Sequence, residues 1–201
     1  MASSIDLNAL TVAAATRIEA RAVRRALPVA RVVRTGIALS RVTGAECGDL
    51  VISCGLAGGL LVGVATGTVL VPAWIRRPNG EMLRCDPELV ALLEAAARRL
   101  GFEPLSHPLV TSAALVRGSA RAPWAARGYA GVDMETGLLQ AARLASVRVV
   151  LDTPSRELSE DWLHPAAAFL RPQNWRQALW LAREAPRCAR VAADVLRVAF
   201  G

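Results

Sequence analysis

Lysine is absent from this chain: all 24 basic residues among the 201 are arginine. That uniformity reads as coding bias and weakens any argument from basicity. The net charge of +7 is scattered, with no block of like charge and no interleaved aromatic–basic motif, which disfavours a nucleic-acid reader. An acidic lipid surface or a phosphorylated ligand suits the same charge. Cysteine is scarce too: Cys47, Cys54, Cys85 and Cys188 form no Cys-x-x-Cys pair, and only His107 and His164 are available to join them. Neither a zinc site nor a disulfide framework follows from these spacings, so no metal is expected and a reducing cytoplasm is the expected compartment. The amino terminus, Met1 to Asp6, has no basic residue ahead of its short apolar run and does not read as a secretory signal. Charge is missing from Leu50 to Ile75, a run long enough to span a bilayer as a helix. Glycines at 55, 58, 59, 63 and 67 and Pro72 interrupt it, so it reads as two strands joined by a glycine-rich loop.

What is present is apolar bulk, 53% of residues against 20% charged, in a length that suits one well-buried domain over 1–201. Strands are expected over Leu7 to Ala15, Ala30 to Thr35, Asp49 to Cys54, Gly67 to Pro72, Leu105 to Val116 and Ser146 to Asp152. Pro78-Asn79-Gly80 signals a hairpin or loop. Asp86 to Leu100 reads as an amphipathic helix with Leu89, Leu92, Leu93, Ala96 and Leu100 on one stripe. A helix is also expected from the Met134-Glu135 junction to about Leu144. An Arg/Trp-rich tail at about 157–199 reads as helical, divided by Pro186 into two pieces. Its Arg176, Arg183, Arg187, Arg190 and Arg197 share one face, with Trp175, Leu179, Ala182, Ala189, Ala193 and Leu196 opposite. That pattern describes a solvated face over a packed one, or an interfacial helix with arginines toward lipid headgroups.

Four short patterns carry chemistry. Thr16-Arg17-Ile18-Glu19 is a capping box, with a glutamate three residues after the cap. Gly55-Leu56-Ala57-Gly58-Gly59 follows a strand, where glycines let the backbone approach a ligand and offer it free N–H groups. Gly131-Val132-Asp133-Met134-Glu135-Thr136-Gly137 sits at a strand end. Val147-Arg148-Val149-Val150-Leu151-Asp152 is an apolar strand ending in aspartate, which by itself also reads as an Asx turn before Thr153-Pro154.

The order of these patterns resembles the purine nucleoside phosphorylase and nucleosidase superfamily, and most closely its hopanoid-associated phosphorylase branch. The resemblance covers about residues 8 to 199. It implies a single-domain α/β fold, a three-layer α/β/α sandwich around a twisted mixed sheet. It implies that Asp152 protonates the purine N7 and that Glu135 holds the ribose 2′ and 3′ hydroxyls with Met134 packed on the sugar. Glu19 matches the position that orients attacking water. Gly55, Leu56, Ala57 and Gly58 match the signature loop, and Leu115 and Val116 the base contacts. Leu56 stands where some nucleosidases carry serine, and an aliphatic residue stands where an aromatic is commoner at the base. Arg17, Arg34 and Arg148 are the candidates for phosphate or for supporting contacts, although the phosphorylases' Gly-Asp-Pro-x-Arg loop is replaced here by Ala14 to Glu19. Segments 37–48 and 138–146 are shorter than usual.

The activity implied is cleavage of a purine N-glycosidic bond, with adenine released from adenosylhopane by a hydrolase, or by a phosphorylase with inorganic phosphate as co-substrate. No other cofactor is implied. Readings that share the same motifs are a methylthioadenosine/S-adenosylhomocysteine or futalosine hydrolase and a degenerate nucleoside-binding protein. The expected partner is a small or lipid-linked purine nucleoside, not nucleic acid. The expected assembly is a homo-oligomer, a dimer by preference, cytoplasmic and in peripheral contact with the inner membrane face.

Overall fold

The chain runs β1 (Leu10–Ala14), α1 (Arg17–Ala26), β2 (Arg31–Arg34), β3 (Leu50–Gly59), β4 (Val69–Leu70), β5 (Trp74–Arg76), β6 (Met82–Arg84), α2 (Pro87–Arg99), β7 (Leu109–Thr111), α3 (Ala122–Ala126), β8 (Gly131–Asp133), β9 (Arg143–Asp152) and α4 (Trp175–Phe200). This computed structural model describes residues 5, 6, 8–163, 168 and 171–201; Leu7 and His164 lie outside them.

β3 is the axis. Its opening Leu50-Val51-Ile52-Ser53-Cys54 is buried throughout, as a strand covered on both faces must be. β9 pairs with it in parallel from Leu50 opposite Arg143 to Gly58 opposite Asp152, with an irregularity between Ala57 and Gly58. β1 also pairs in parallel with its first half, and β8 pairs antiparallel with Gly58 and Gly59 at its far end. From there the sheet continues through β7 and β5 to β6, while β2 closes the other edge and β4 pairs with β9. The result is a mixed α/β sheet with flanking helices in a single domain.

α1 and α2 each pack on α4, and the three cover one face of the sheet. Val23, Leu89, Leu93, Ala192 and Leu196 reach the common core. α2 starts where Asp86 accepts N–H bonds from Glu88 and Leu89, each 3.0 Å, with Pro87 pre-set for the first turn. The helical layer on the opposite face is thin. There Leu60, Val110, Val116, Tyr129 and Val132 form a separate small cluster under Trp124 of α3. Val110 belongs to it while its strand neighbour Leu109 joins the main core, the alternation a strand requires.

Four expectations are corrected. The glycine run 55–59 is strand, not a turn after one, because β9 pairs with it residue by residue. No helix follows Glu135; a single 3-10 turn, Thr136–Leu138, leads into β9. Gly137 donates to Thr111 Oγ1 at 2.8 Å and Gln140 to the Gly44 carbonyl at 3.2 Å, which draws the short segment out instead of coiling it. Pro186 does not divide α4. The carbonyl it fails to satisfy belongs to Ala182, an exposed residue, where the loss of an N–H partner costs little. Trp175, Leu179 and Ala182 are exposed, whereas Ala189, Ala193 and Leu196 of the same expected stripe are buried.

Candidate active site

The capping box at the start of α1 places Glu19 inside the protein. Thr16 N–H and Thr16 Oγ1 donate to its Oε2 at 2.7 and 2.6 Å, and its own N–H donates to Thr16 Oγ1 at 3.3 Å. The other carboxylate oxygen accepts the Leu56 N–H at 2.8 Å. Capping and siting are therefore one arrangement: the cap aims the carboxylate at the glycine run of β3. Glycine at 55 leaves both side chains their places, since a Cβ would stand 2.3 Å from Glu19 Oε1 and 2.7 Å from Arg148 Nη1 and force them to shift.

Arg148, on β9 opposite Gly55, is 1% exposed. Its Nη2 lies 2.7 Å from Asp133 Oδ2 and donates to Ser53 Oγ at 2.6 Å and Thr136 Oγ1 at 2.7 Å. Asp133 is held further by Thr111 Oγ1 at 2.7 Å and by the hydroxyl and N–H of Thr136. These contacts match the Nη2 end of the guanidinium and both carboxylate oxygens, as a buried ion pair requires, while Arg148 Nε is left without a hydrogen-bond partner among the described residues. The hub fixes the turn that carries Glu135, whose Oε2 is 3.9 Å from Arg148 Nη2 and whose Oε1 accepts the Ala38 N–H at 3.1 Å. Burial pushes the Glu135 carboxyl from its ordinary 4.5 up to about 7; Arg148 opposes this, and Asp133 and Glu19 reinforce it. Ala38 and Leu39 both adopt left-handed backbone, φ 51° and 54°, a strain that presents Ala38 N–H to the carboxylate.

Asp152 ends β9 on the far side of the glycine run. Arg121, from the 3-10 turn before α3 and itself 3% exposed, bonds both Asp152 and the Gly59 carbonyl. Its Nε lies 3.0 Å from Glu157. Burial raises the Asp152 carboxyl above the usual range, while the Arg121 charge and hydrogen bond pull it back. Beside this pair is a cavity of about 30 Å³ lined by Gly58, Leu115, Val116, Met134 and Asp152. It has room for a water or two and not for a bicyclic base.

The residues singled out from sequence thus fall into two linked groups. Glu19, Gly55, Leu56 and Glu135 surround the Arg148 hub. Gly58, Leu115, Val116, Met134 and Asp152 surround the small cavity, and Ala57 is buried in β3 between the groups. Arg17 and Arg34 lie elsewhere, with Arg41, Gly36 and Ser40, around an open cleft of about 570 Å³ outside Thr16. Among the described residues none of these three arginines has a carboxylate partner. Arg34 is held below the usual guanidinium range by desolvation and by the like charges of Arg41, Arg17 and Arg24. Arg148 does not join that cleft, because its side chain is wholly enclosed.

Sequence reasoning missed Arg121, Ser53, Thr111 and Thr136, and gave Asp133 no role. Asp133 lies inside a motif already in view, but Arg121 meets Asp152 across 31 residues with no local signal. The thiols offer no nucleophile: burial pushes Cys54 and Cys85 to about 12 and Cys188 to about 11. Among the described residues no group of three His, Cys, Asp or Glu side chains is placed to hold a metal.

The family model described as "Phosphorylase superfamily" matches residues 10–164. No curated protein matches the sequence. Among solved structures, the 5′-methylthioadenosine/S-adenosylhomocysteine nucleosidase of Neisseria meningitidis in complex with methylthio-immucillin-A superposes with a TM-score of 0.73 at 17% identity, over 96% of this chain and 98% of that one. The S-adenosylhomocysteine nucleosidase of Streptococcus pyogenes gives 0.70 at 14% identity, over 98% of each chain. The futalosine hydrolase of Helicobacter pylori gives 0.70 at 11% identity, over 96% of this chain and 97% of that one. At these identities the likeness is one of fold.

Proposed function

The chain belongs to the phosphorylase superfamily, and from that premise we infer that it is an enzyme cleaving the N-glycosidic bond of a purine nucleoside. The observation that carries this reading is the gathering of three carboxylates, Glu19, Glu135 and Asp152, around one glycine run, with burial raising two of them. Purine leaves as a neutral base only when its N7 is protonated, so an acid is needed at the base. Asp152 is that acid, set in a dry strand end that favours its protonated form. Charge developing on the sugar, as in glycoside hydrolysis, is met by Glu135, which also holds the ribose hydroxyls. Glu19 orients the nucleophile on the other side of the sugar.

Arg121 pairs with Asp152 beside a cavity too small for the base, so this reading requires the Arg121 side chain to yield when the base enters. Its departure would remove the cation that opposes protonation of Asp152.

Water is the nucleophile in the leading reading. Arg17, Arg34 and Arg41, without a carboxylate partner among the described residues, favour a second, in which inorganic phosphate enters from their cleft as co-substrate. The nucleoside is adenosylhopane, a lipid-linked purine nucleoside: the α4 face exposes Trp175 and Leu179, apolar groups suited to a lipid surface. Such an enzyme acts as a cytoplasmic homodimer at the inner membrane face. No helix among the described residues is long and apolar enough to cross a membrane. The test is chromatography of the free base released from adenosylhopane, methylthioadenosine and futalosine separately, adenine from the first two and hypoxanthine from the third, with and without phosphate. Adenine from the lipid alone supports the hopanoid reading, and its phosphate dependence identifies the nucleophile. Release from either soluble nucleoside instead moves the substrate to that class, and no release from any overturns the enzyme reading.

A further inference from the structure

α1 and α4 lie side by side, and between them runs a groove of about 480 Å³. Its floor is small and apolar, Ala22 and Ala193, and its rims are Arg21, Arg25, Arg190 and Arg197. One acid stands among them, Asp194, 3.3 Å from Arg197. At about 100° per residue, Trp175, Leu179, Pro186, Arg190 and Arg197 fall on a single stripe of α4, with Arg183 at its margin. Trp175 is 59% exposed and Leu179 70%, and Ile18, which lines the groove from α1, is 45% exposed.

Exposed tryptophan and aliphatic side chains set among arginines are the composition of an interfacial helix: the apolar groups enter the acyl boundary and the guanidinium groups meet phosphate headgroups. The face is too positive to pair with itself. A twofold contact between copies would set these arginines against their equivalents. The groove also adjoins the arginine-walled cleft beside Glu19, since consecutive residues Arg17 and Ile18 line one and the other. A surface lying on this face is therefore presented to that cleft.

We propose that this face of α1 and α4 docks the protein on an anionic phospholipid bilayer. It rests on the lipid-linked reading for its purpose, but on charge and exposure for its physics. The test is co-sedimentation of the full chain with vesicles of phosphatidylcholine alone and of phosphatidylcholine with phosphatidylglycerol, at low and high salt. Binding is expected to the anionic vesicles only and to weaken with salt. The triple variant R21E/R25E/R190E is expected to lose about a hundredfold in partitioning, at roughly fivefold for each arginine. W175S/L179S is expected to reduce binding as well, and circular dichroism establishes that each variant is folded. Failure of anionic vesicles to carry the protein down, or equal binding by the folded triple variant, overturns the proposal. Loss of a dimer in the triple variant by sedimentation velocity, without loss of vesicle binding, assigns the face to a second copy and overturns it too. The vesicles hold no nucleoside, so this outcome is separate from the nucleosidase reading, which is decided by adenine release.

Discussion

Replacing Arg148 by methionine removes the cation at the centre of the site while keeping most of the volume of its stem. The guanidinium is 1% exposed and lies 2.7 Å from Asp133, whose side chain is fully enclosed. Removing one member of a buried pair leaves the other charged and unmatched, at a cost of about 3–5 kcal/mol. Ser53 and Thr136 lose a donor each but keep the 2.9 Å bond between their hydroxyls, so their contribution to the loss is small. Domains of this size hold about 5–15 kcal/mol in total, so R148M is expected to fold with a large part of its stability gone. In urea, at a slope of about 2 kcal/mol per molar, the midpoint falls by about 2 M, read from tryptophan fluorescence at neutral pH. The double variant D133N/R148M removes the orphaned charge and keeps an oxygen for the Thr111 hydroxyl, so about 2 kcal/mol should return. A single variant within about 1 kcal/mol of the natural chain, or a double variant no better than the single, would refute the picture of a charge hub holding the Glu135 turn.

Three further perturbations test other parts of the site. Because the folded Glu135 carboxyl titrates near 7 and the unfolded one near 4.5, its contribution to stability is complete below 4.5 and is lost as pH rises through 7. E135Q abolishes this titration, so its melting temperature should fall less than that of the natural chain between those pH values; parallel curves would count against the shift. Arg121→Met removes the charge that holds the Asp152 carboxyl down, so the alkaline limb of the kcat/KM profile for adenine release should move to higher pH, and an unmoved limb would separate Arg121 from the acid. Gly55→Ala drives a methyl to 2.3 Å from Glu19 Oε1 in a packed interior; about 3 kcal/mol should be lost in urea unfolding together with the activity, and a neutral result would mean that Glu19 does not need its place under Leu56 N–H.

The sequence by itself determined the strands whose apolar runs are buried, the capping box of α1, the amphipathic helix α2, and the order of the glycine run, the Asp133-to-Gly137 turn and the strand ending at Asp152. These are local properties: periodicity, cap chemistry and β-branching act within a few residues, so a linear reading reaches them. Tertiary structure alone decided the rest. Residues 138–146 have helix-forming composition, but a strand register with β3 and a bond to Gly44 left no length to coil. α4 runs through Pro186 because the orphaned carbonyl belongs to an exposed residue, Ala182, and it turns Trp175 and Leu179 outward because α1 and α2 take its other side. Arg148 looked like a candidate for phosphate until β9 set it inside the sheet, where Asp133 answers its charge. Arg121 carried no local mark at all. Burying a charge demands a partner of opposite sign within hydrogen-bonding reach, and the chain can bring that partner from any distance along its length.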